Sequence, residues 1–136
     1  MRKAAGILFT DGNKFLILKD KKNIWSIPGG KKENNENSWE NASRETYEET
    51  KHKADFENCL GKFPDLSDGK NYTTFVCLTD KLFDCKLSNE HSKFKWINFD
   101  DSENYNLHTR LKNKLPFYRK FINSYLTLKN HKFNHL

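Results

Sequence analysis

Residues 25–52 read WSIPGGKKENNENSWENASRETYEETKH and contain the clearest structural signals in a chain of 136 residues. The first three of them, 25–27, alternate in polarity as a short strand does. Pro28, Gly29 and Gly30 follow. They predict the end of the strand, because proline lacks a backbone donor and glycine adopts backbone angles closed to other residues. A loop with special backbone geometry is therefore expected after the strand.

A helix is predicted next, from residue 38 to about residue 50. Asn37 stands in the N-cap position and Glu40 follows three residues later, which is the spacing of a capping box. After the N-cap, small or less polar residues recur at helical intervals, namely Trp39, Ala42, Ser43, Thr46 and Thr50. This is the clearest helix in the first half of the chain.

Acidic residues are concentrated in this same stretch, although the chain as a whole is basic. Six of its nine Glu lie between positions 33 and 49, whereas the formal net charge is +6. Spacings of three and four residues place Glu45, Glu48 and Glu49 on one helix face, where their charges repel one another. Concentrated acid in a basic chain indicates a bound cation.

Mg²⁺ or Mn²⁺ would remove the repulsion, since carboxylate oxygens are the hard ligands that these ions prefer. Arg44 is placed to orient one of the carboxylates through a forked ion pair. An acidic triplet is also typical of a solvated helix face. Residues 44–49 alone leave both interpretations open.

Strands are predicted on both sides of this stretch. Residues 4–10 and 15–18 are apolar runs separated by Asp11-Gly12, a strong hairpin turn signal. Residues 72–78 are rich in β-formers, and residues 94–99 alternate between apolar and polar, so each predicts a strand. Residues 80–89 are expected to form a short strand or a loop.

A terminal helix is predicted over residues 116–129. Its apolar positions recur at helical spacing, and Pro116 is taken as its start because proline is tolerated in the first turn. Strands mixed with two helices indicate one α/β or α+β domain over residues 1–136.

Composition excludes several other classes of protein. The apolar runs are too short to cross a membrane, and neither a signal peptide nor a transit helix is recognised. The three cysteines lack C-x-x-C pairing, which favours a reducing compartment, and a cytoplasmic location is expected. Twenty Lys against four Arg make the positive charge weak evidence for nucleic acid, where Arg is favoured for forked phosphate contacts.

The spacing within residues 30–52 resembles the Nudix box, G-x5-E-x7-R-E-U-x-E-E-x-G-U, in which U is aliphatic. Gly30, Glu36 and the charged positions of residues 44–49 fall in register. The preceding strand that ends in Pro-Gly-Gly resembles the usual lead-in of the family. Thr46 replaces an aliphatic residue, and Lys51 and His52 replace the closing glycine and aliphatic residue. None of these departures removes a carboxylate.

The resemblance implies an α/β/α sandwich around a mixed β-sheet, with the box as a loop-helix-loop metal site. It implies hydrolysis of a nucleoside diphosphate linked to another group, with Mg²⁺ as the cofactor and Mn²⁺ as an alternative. Homodimers occur in the family.

Residue roles follow from the same resemblance. Glu48 and Glu49 are expected to be metal ligands, and Glu45 a ligand or the base. The Gly29 carbonyl is expected as a further ligand, Arg44 is expected to orient a carboxylate, and Glu36 is expected to support the loop. Glu90, which lies ahead of a late strand, resembles the residue that supplies another ligand or the base in several members. The expected catalytic residues are therefore Arg44, Glu45, Glu49 and Glu90, and the expected metal ligands Gly29, Glu45, Glu48, Glu49 and Glu90.

The sequence leaves the substrate open among ADP-ribose, dinucleoside polyphosphates, nucleotide sugars and dNTPs. Their distinction is expected to rest on loops around residues 20–24, 62–72 and 100–110. An RNA 5′-end or cap pyrophosphohydrolase is the alternative within this chemistry, and a non-catalytic nucleotide-binding module is the alternative outside it.

Overall fold

The computed structural model describes residues 2–67 and 69–134, with side chains described as far as residue 129. The strands are β1 (Arg2–Thr10), β2 (Lys14–Asp20), β3 (Trp25–Ser26), β4 (Gly29–Lys31), β5 (Cys59–Ser67), β6 (Lys70–Leu78) and β7 (His91–Asn98). The helices are α1 (Ser38–Thr50) and α2 (Thr109–Asn134), with short 3-10 helices at Phe56–Asn58 and Phe99–Asn104.

One mixed sheet contains all seven strands, in the order β3-β2-β1-β6-β5, with β4 paired to β1 and β7 paired to β2. β1 and β6 are parallel from Arg2/Lys70 to Thr10/Leu78, and the other pairs are antiparallel. β1 and β2 meet only at Thr10 and Phe15. Beyond the hairpin, β1 and β2 therefore separate and leave a split in the sheet. β4 pairs with the edge of β1 that this split exposes.

Each face of the sheet carries its own hydrophobic core. On the α2 face, Leu8, Phe15 and Ile17 pack with Leu111, Leu115, Tyr118 and Ile122 of the helix. On the α1 face the core contains Ala42 of the helix and seven strand residues, namely Ala5, Ile7, Phe9, Leu16, Leu18, Phe75 and Cys77. Alternation along β1 and β2 sends successive side chains to opposite cores. The α/β/α sandwich with a mixed sheet is confirmed.

The hairpin and the first helix are confirmed in detail. α1 begins after Asn37, whose side chain accepts from the backbone N–H of Glu40 at 2.8 Å, while the Glu40 carboxylate accepts from the Asn37 N–H at 2.9 Å. The capping box is thus complete.

β5 was not expected, because residues 62–72 were interpreted as a loop. Residues 62–67 continue β5, residues 70–72 begin β6, and Pro64 stands opposite Thr73 in the ladder. Proline is tolerated here since β5 is the last strand of the sheet order, where a missing donor costs little. Residues 79–90, all of them described, form a loop without a strand.

The predicted start of the terminal helix at Pro116 was wrong. α2 begins at Thr109 and Pro116 lies inside it. The His108 carbonyl accepts from the N–H of Lys112 at 2.9 Å and its ring Nδ1 accepts from the N–H of Arg110 at 3.2 Å, which satisfies donors of the first turn. Burial of Leu111 and Leu115 outweighs the hydrogen bond that Pro116 removes.

Neither helix in the described part of the chain combines the length and the apolar character that crossing a membrane requires.

Candidate active site

The candidate site lies where the sheet splits. β4 follows the free edge of β1 from Ala4 to Gly6, and α1 packs across both strands. The start of β7 belongs to the other half of the sheet, through its pairing with β2. Side chains from α1 and from the start of β7 therefore meet at the split.

Gly30 allows α1 to pack closely on β4. A Cβ atom at this position would stand 2.6 Å from the carboxyl carbon of Glu45 and 2.7 Å from both of its oxygens. Such distances are far below van der Waals contact, so the carboxylate of Glu45 rests directly on the glycine. The residue type at position 30 thus fixes the position of the Glu45 carboxylate.

Glu49 is the most buried carboxylate of the site, with 4% of the residue exposed. Its Oε1 accepts a hydrogen bond of 2.9 Å from the N–H of Gly29. Burial raises the pKa of Glu49 to about 8; the Gly29 hydrogen bond opposes this rise, and the charges of Glu45, Glu90 and Glu48 add to it.

The Gly29 carbonyl faces the same side as its N–H. Along the ladder of β1 and β4, the N–H of Ile7 donates to the Pro28 carbonyl and the N–H of Lys32 donates to the Lys3 carbonyl. Gly29 lies between these positions, opposite Gly6, so its backbone polar groups point away from β1. The carbonyl is therefore available on the open edge beside Glu49.

Arg44 connects the loop to the helix face. Its Nε and Nη2 donate to the two oxygens of Glu36 at 2.7 and 3.1 Å. The fork therefore forms with a residue of the loop and not, as expected, with a carboxylate of the acidic helix face. Its Nη1 lies 3.1 Å from a carboxylate oxygen of both Glu45 and Glu48, and its Nη2 donates to the Lys31 carbonyl at 2.8 Å. Arg44 therefore holds three carboxylates and the strand carbonyl in fixed relation.

The electrostatics follow these contacts. The hydrogen bond from Arg44 lowers the pKa of Glu36, and the same bond raises the pKa of Arg44 above its ordinary value. Burial raises the pKa of Glu45, although Arg44 opposes that shift. Glu48 is half-exposed at the rim.

Glu90 and His91 approach from the other half of the sheet. Potential metal-binding atoms of Glu49, Glu90 and His91 all lie within 4.8 Å of one another. His91 Nδ1 lies 3.9 Å from Glu49 Oε2, and burial lowers the pKa of His91. The expected proximity of Glu90 to the box is observed. His91 was not among the expected site residues, and its only sequence signal was its position next to Glu90.

The residues that depart from the box pattern have distinct structural effects. Thr46 is fully buried, and its Oγ1 lacks a hydrogen-bond partner among the described residues. Lys51 ends α1 in the left-handed conformation, with φ of 63°, and its N–H donates to the Tyr47 carbonyl at 2.8 Å. The helix thus ends where the box pattern places its glycine. Lys51 adopts this left-handed conformation at the cost of backbone strain, because it carries a Cβ atom.

These residues fit a divalent cation. Glu49 and Glu90 bring hard oxygen donors together. Burial raises the pKa of Glu45 and of Glu49, and the charges of neighbouring carboxylates add to both shifts. A buried ring nitrogen without a hydrogen-bond partner in the described structure, His91 Nδ1, faces the same point. Donors grouped in this way suit a divalent cation.

Known proteins resemble this chain in sequence pattern and in fold. The family model of the NUDIX domain matches residues 1–121. Among solved structures, an Ap4A hydrolase of C. elegans in a binary complex is 23% identical with a TM-score of 0.71, and the match covers 93% of this chain and 98% of that chain. The Nudix hydrolase RenU of M. smegmatis is 16% identical with a TM-score of 0.71, covering 90% of this chain and 86% of that one.

A MutT protein of Methanosarcina mazei is 22% identical with a TM-score of 0.62, and the match covers 94% of each chain. No curated protein matches this sequence. At these identities the solved structures show the fold alone, and family membership rests on the match over residues 1–121.

Proposed function

Since the chain belongs to the NUDIX domain family and is a hydrolase of phosphoric anhydride bonds, we propose that it cleaves small nucleotides in a reaction that depends on a divalent cation. The substrate is a nucleoside diphosphate linked to another group. Water is added across one phosphoric anhydride bond, and the products are a nucleotide and a phosphorylated remainder.

One observation carries the proposal. Glu49 is buried beside Glu45 and Glu90, and burial together with these neighbouring charges raises its pKa to about 8. Such a group of carboxylates is electrostatically unfavourable without a cation and is favourable with one. A pyrophosphate carries further negative charge to the same place, so the cation is required there for a second reason.

Mg²⁺ is the proposed cofactor and Mn²⁺ the alternative. The residues that would hold it are Glu45, Glu48, Glu49 and Glu90 with the Gly29 carbonyl. When bound, the cation would neutralise charge on the phosphate oxygens and lower the pKa of the attacking water.

The protein's own groups orient this site. The Gly29 N–H holds Glu49 Oε1, which leaves Oε2 directed towards Glu90 and His91. Arg44 fixes Glu45 and Glu48 while its fork with Glu36 anchors it to the loop. Glu45 or Glu90 is the proposed base that accepts the proton of the water.

Among small nucleotides, the proposal places dinucleoside polyphosphates first, because a protein named as an Ap4A hydrolase matches nearly the whole chain in fold. ADP-ribose, nucleotide sugars and dNTPs contain the same anhydride bond and belong in the same assay. A cytoplasmic setting is proposed as well, because Cys59, Cys77 and Cys85 are free thiols, which suits a reducing compartment.

The proposed test is a panel assay of these four compound classes and a 5′-triphosphorylated or capped RNA, with Mg²⁺ or Mn²⁺ and over a range of salt. A small nucleotide should be turned over with a KM that varies little with salt, because few counterions are displaced. For RNA held through several phosphates, a plot of log affinity against log salt concentration should have a slope of about −0.7 for each phosphate contacted.

If the RNA is turned over with this steep dependence on salt and no small nucleotide is, the protein is an RNA 5′-end or cap pyrophosphohydrolase instead. Binding of nucleotides without turnover of any compound would favour the non-catalytic alternative.

A further inference from the structure

His91 occupies a defined backbone position at the edge of the candidate site. It is the first residue of β7 and pairs with Asp20 across an irregularity in the ladder of β2 and β7. Its N–H donates to the Ser88 carbonyl at 3.3 Å. The ring is thus presented from the half of the sheet opposite to α1.

The ring nitrogen that faces Glu49 lacks a conventional partner. His91 Nδ1 is buried and makes no hydrogen bond to any described residue. Its distance of 3.9 Å from Glu49 Oε2 is too long for a hydrogen bond. A buried nitrogen in this state calls for an explanation, because nearly all such atoms in folded proteins are satisfied.

The same distance suits two ligands of one cation. Donor atoms bound to a single ion at about 2.1 Å stand about 3 to 4 Å apart. His91 Nδ1, Glu49 Oε2 and a Glu90 oxygen meet this condition with small side-chain adjustments, since the cluster already lies within 4.8 Å. The Gly29 hydrogen bond keeps Glu49 Oε1 in place while Oε2 faces the imidazole.

We propose that His91 is a nitrogen ligand of the divalent cation and that it biases the site towards transition-metal ions over Mg²⁺; this inference rests on the function proposed above. Imidazole suits first-row transition ions, whereas Mg²⁺ takes oxygen ligands almost exclusively. A site with carboxylates alone would lack this bias.

The test uses Mn²⁺ alone, without substrate, and pulsed electron paramagnetic resonance of the bound ion. The wild-type protein should show ¹⁴N modulation from a directly bound imidazole, and labelling of histidine with ¹⁵N should alter the signal accordingly. His91→Gln and His91→Asn should both remove it while circular dichroism confirms the fold.

Affinities provide the second readout. In competition with Mn²⁺, the His91→Gln variant should bind Co²⁺ about tenfold more weakly than the wild type does. Its affinity for Mg²⁺ should fall much less, since only the transition ion benefits from the nitrogen ligand. Equal losses for both ions would indicate a structural role and overturn the inference.

The two proposals fail differently. Mn²⁺ that binds the wild type without ¹⁴N modulation, and whose binding Glu49→Gln abolishes, would overturn the role of His91 and leave the carboxylate site intact. Absence of any Mn²⁺ binding by the wild type would overturn the metal site itself.

Discussion

The carboxyl group of Glu45 rests on the backbone of Gly30, so that a Cβ atom at position 30 would stand 2.6 Å from its carboxyl carbon. Helix α1 and strand β4 approach this closely only because residue 30 lacks a side chain. The contact joins the loop to the acidic face of the helix, and it makes the position of one proposed metal ligand depend on a glycine.

Gly30→Ala should therefore displace the Glu45 carboxylate and weaken Mg²⁺ binding by about tenfold, as loss of a supporting contact at a metal site does. Isothermal titration with Mg²⁺ measures the effect. Gly69→Ala is the control, because a Cβ there would meet nothing within 4 Å, although its positive φ will lower the melting temperature. Unchanged Mg²⁺ affinity in Gly30→Ala would show that the contact does not position a ligand.

Thr46→Val should stabilise the protein by about 1 kcal/mol, because it replaces a buried hydroxyl that has no hydrogen-bond partner among the described residues with a methyl group of the same size. Thr50→Val is the matched control. Thr50 Oγ1 donates to the Thr46 carbonyl at 2.7 Å and accepts from the His52 N–H at 3.0 Å, so this variant should be destabilised. Urea unfolding gives the free energy of unfolding of both variants. A destabilised Thr46→Val would show that the Thr46 hydroxyl makes a stabilising hydrogen bond.

Lys51→Gly should stabilise the protein by about 0.5 to 1 kcal/mol, since the left-handed conformation at φ of 63° strains any residue with a Cβ atom. Some of this gain is offset by the loss of the Lys51 ammonium from the Tyr47 ring, 5.3 Å away. Lys53→Gly serves for comparison. Lys53 is not among the described residues with positive φ, so glycine there should lower the melting temperature. The same direction of change in both variants would argue against strain at position 51.

The pKa of Glu49, raised to about 8 in the folded protein, predicts a pH dependence of stability in EDTA. Below the ordinary pKa of a carboxyl group, Glu49 is protonated in both states, and Glu49→Gln should match the wild type. As the pH rises towards and through 8, the unfolded state has already released the proton that the folded state retains, so the wild type loses stability.

The comparison with Glu49→Gln removes the contribution of the histidines. Burial lowers the pKa of His52 and His91, which acts in the opposite direction and is common to both proteins. At pH 8.5 in EDTA the variant should be the more stable, and Mg²⁺ should restore only the wild type. A wild type as stable as Glu49→Gln, or more stable, at pH 8.5 without metal would show that burial does not raise the pKa of Glu49.

Local signals allowed much of the fold to be predicted. The hairpin at Asp11-Gly12 and the capping box of Asn37 and Glu40 each depend on residues within a few positions of one another. Strand β5 was missed because Pro64 is acceptable only at a sheet edge, and the edge is a property of the whole sheet. The start of α2 was misplaced for a similar reason, since burial of Leu111 and Leu115 outweighs the local preference of Pro116.

The candidate site divides in the same way. The acidic helix face follows from helical spacing and was predicted from it, whereas the fork of Arg44 forms with Glu36, which precedes the helix. The contact of His91 with Glu49 joins residues far apart in sequence, across the split in the sheet, and no local pattern reports it. The catalytic and metal-binding roles themselves stay predictions until they are measured.

If the buried carboxylates hold the cation used in hydrolysis, Glu49→Gln should turn over a small nucleotide far more slowly than the wild type. Initial rates with Ap4A and with ADP-ribose would be measured over a range of Mg²⁺ or Mn²⁺ for the wild type, Glu49→Gln and Glu57→Gln. Glu57 lies on an exposed 3-10 helix and serves as the matched control.

We expect no wild-type turnover in EDTA, a rate lower by about 100-fold in Glu49→Gln with an intact fold, and a wild-type rate in Glu57→Gln. The glutamine keeps the shape of Glu49 and the acceptor for the Gly29 N–H, so the loss would report the missing charge. Wild-type turnover and unchanged metal affinity in Glu49→Gln would show that Glu49 does not hold the cation used in hydrolysis.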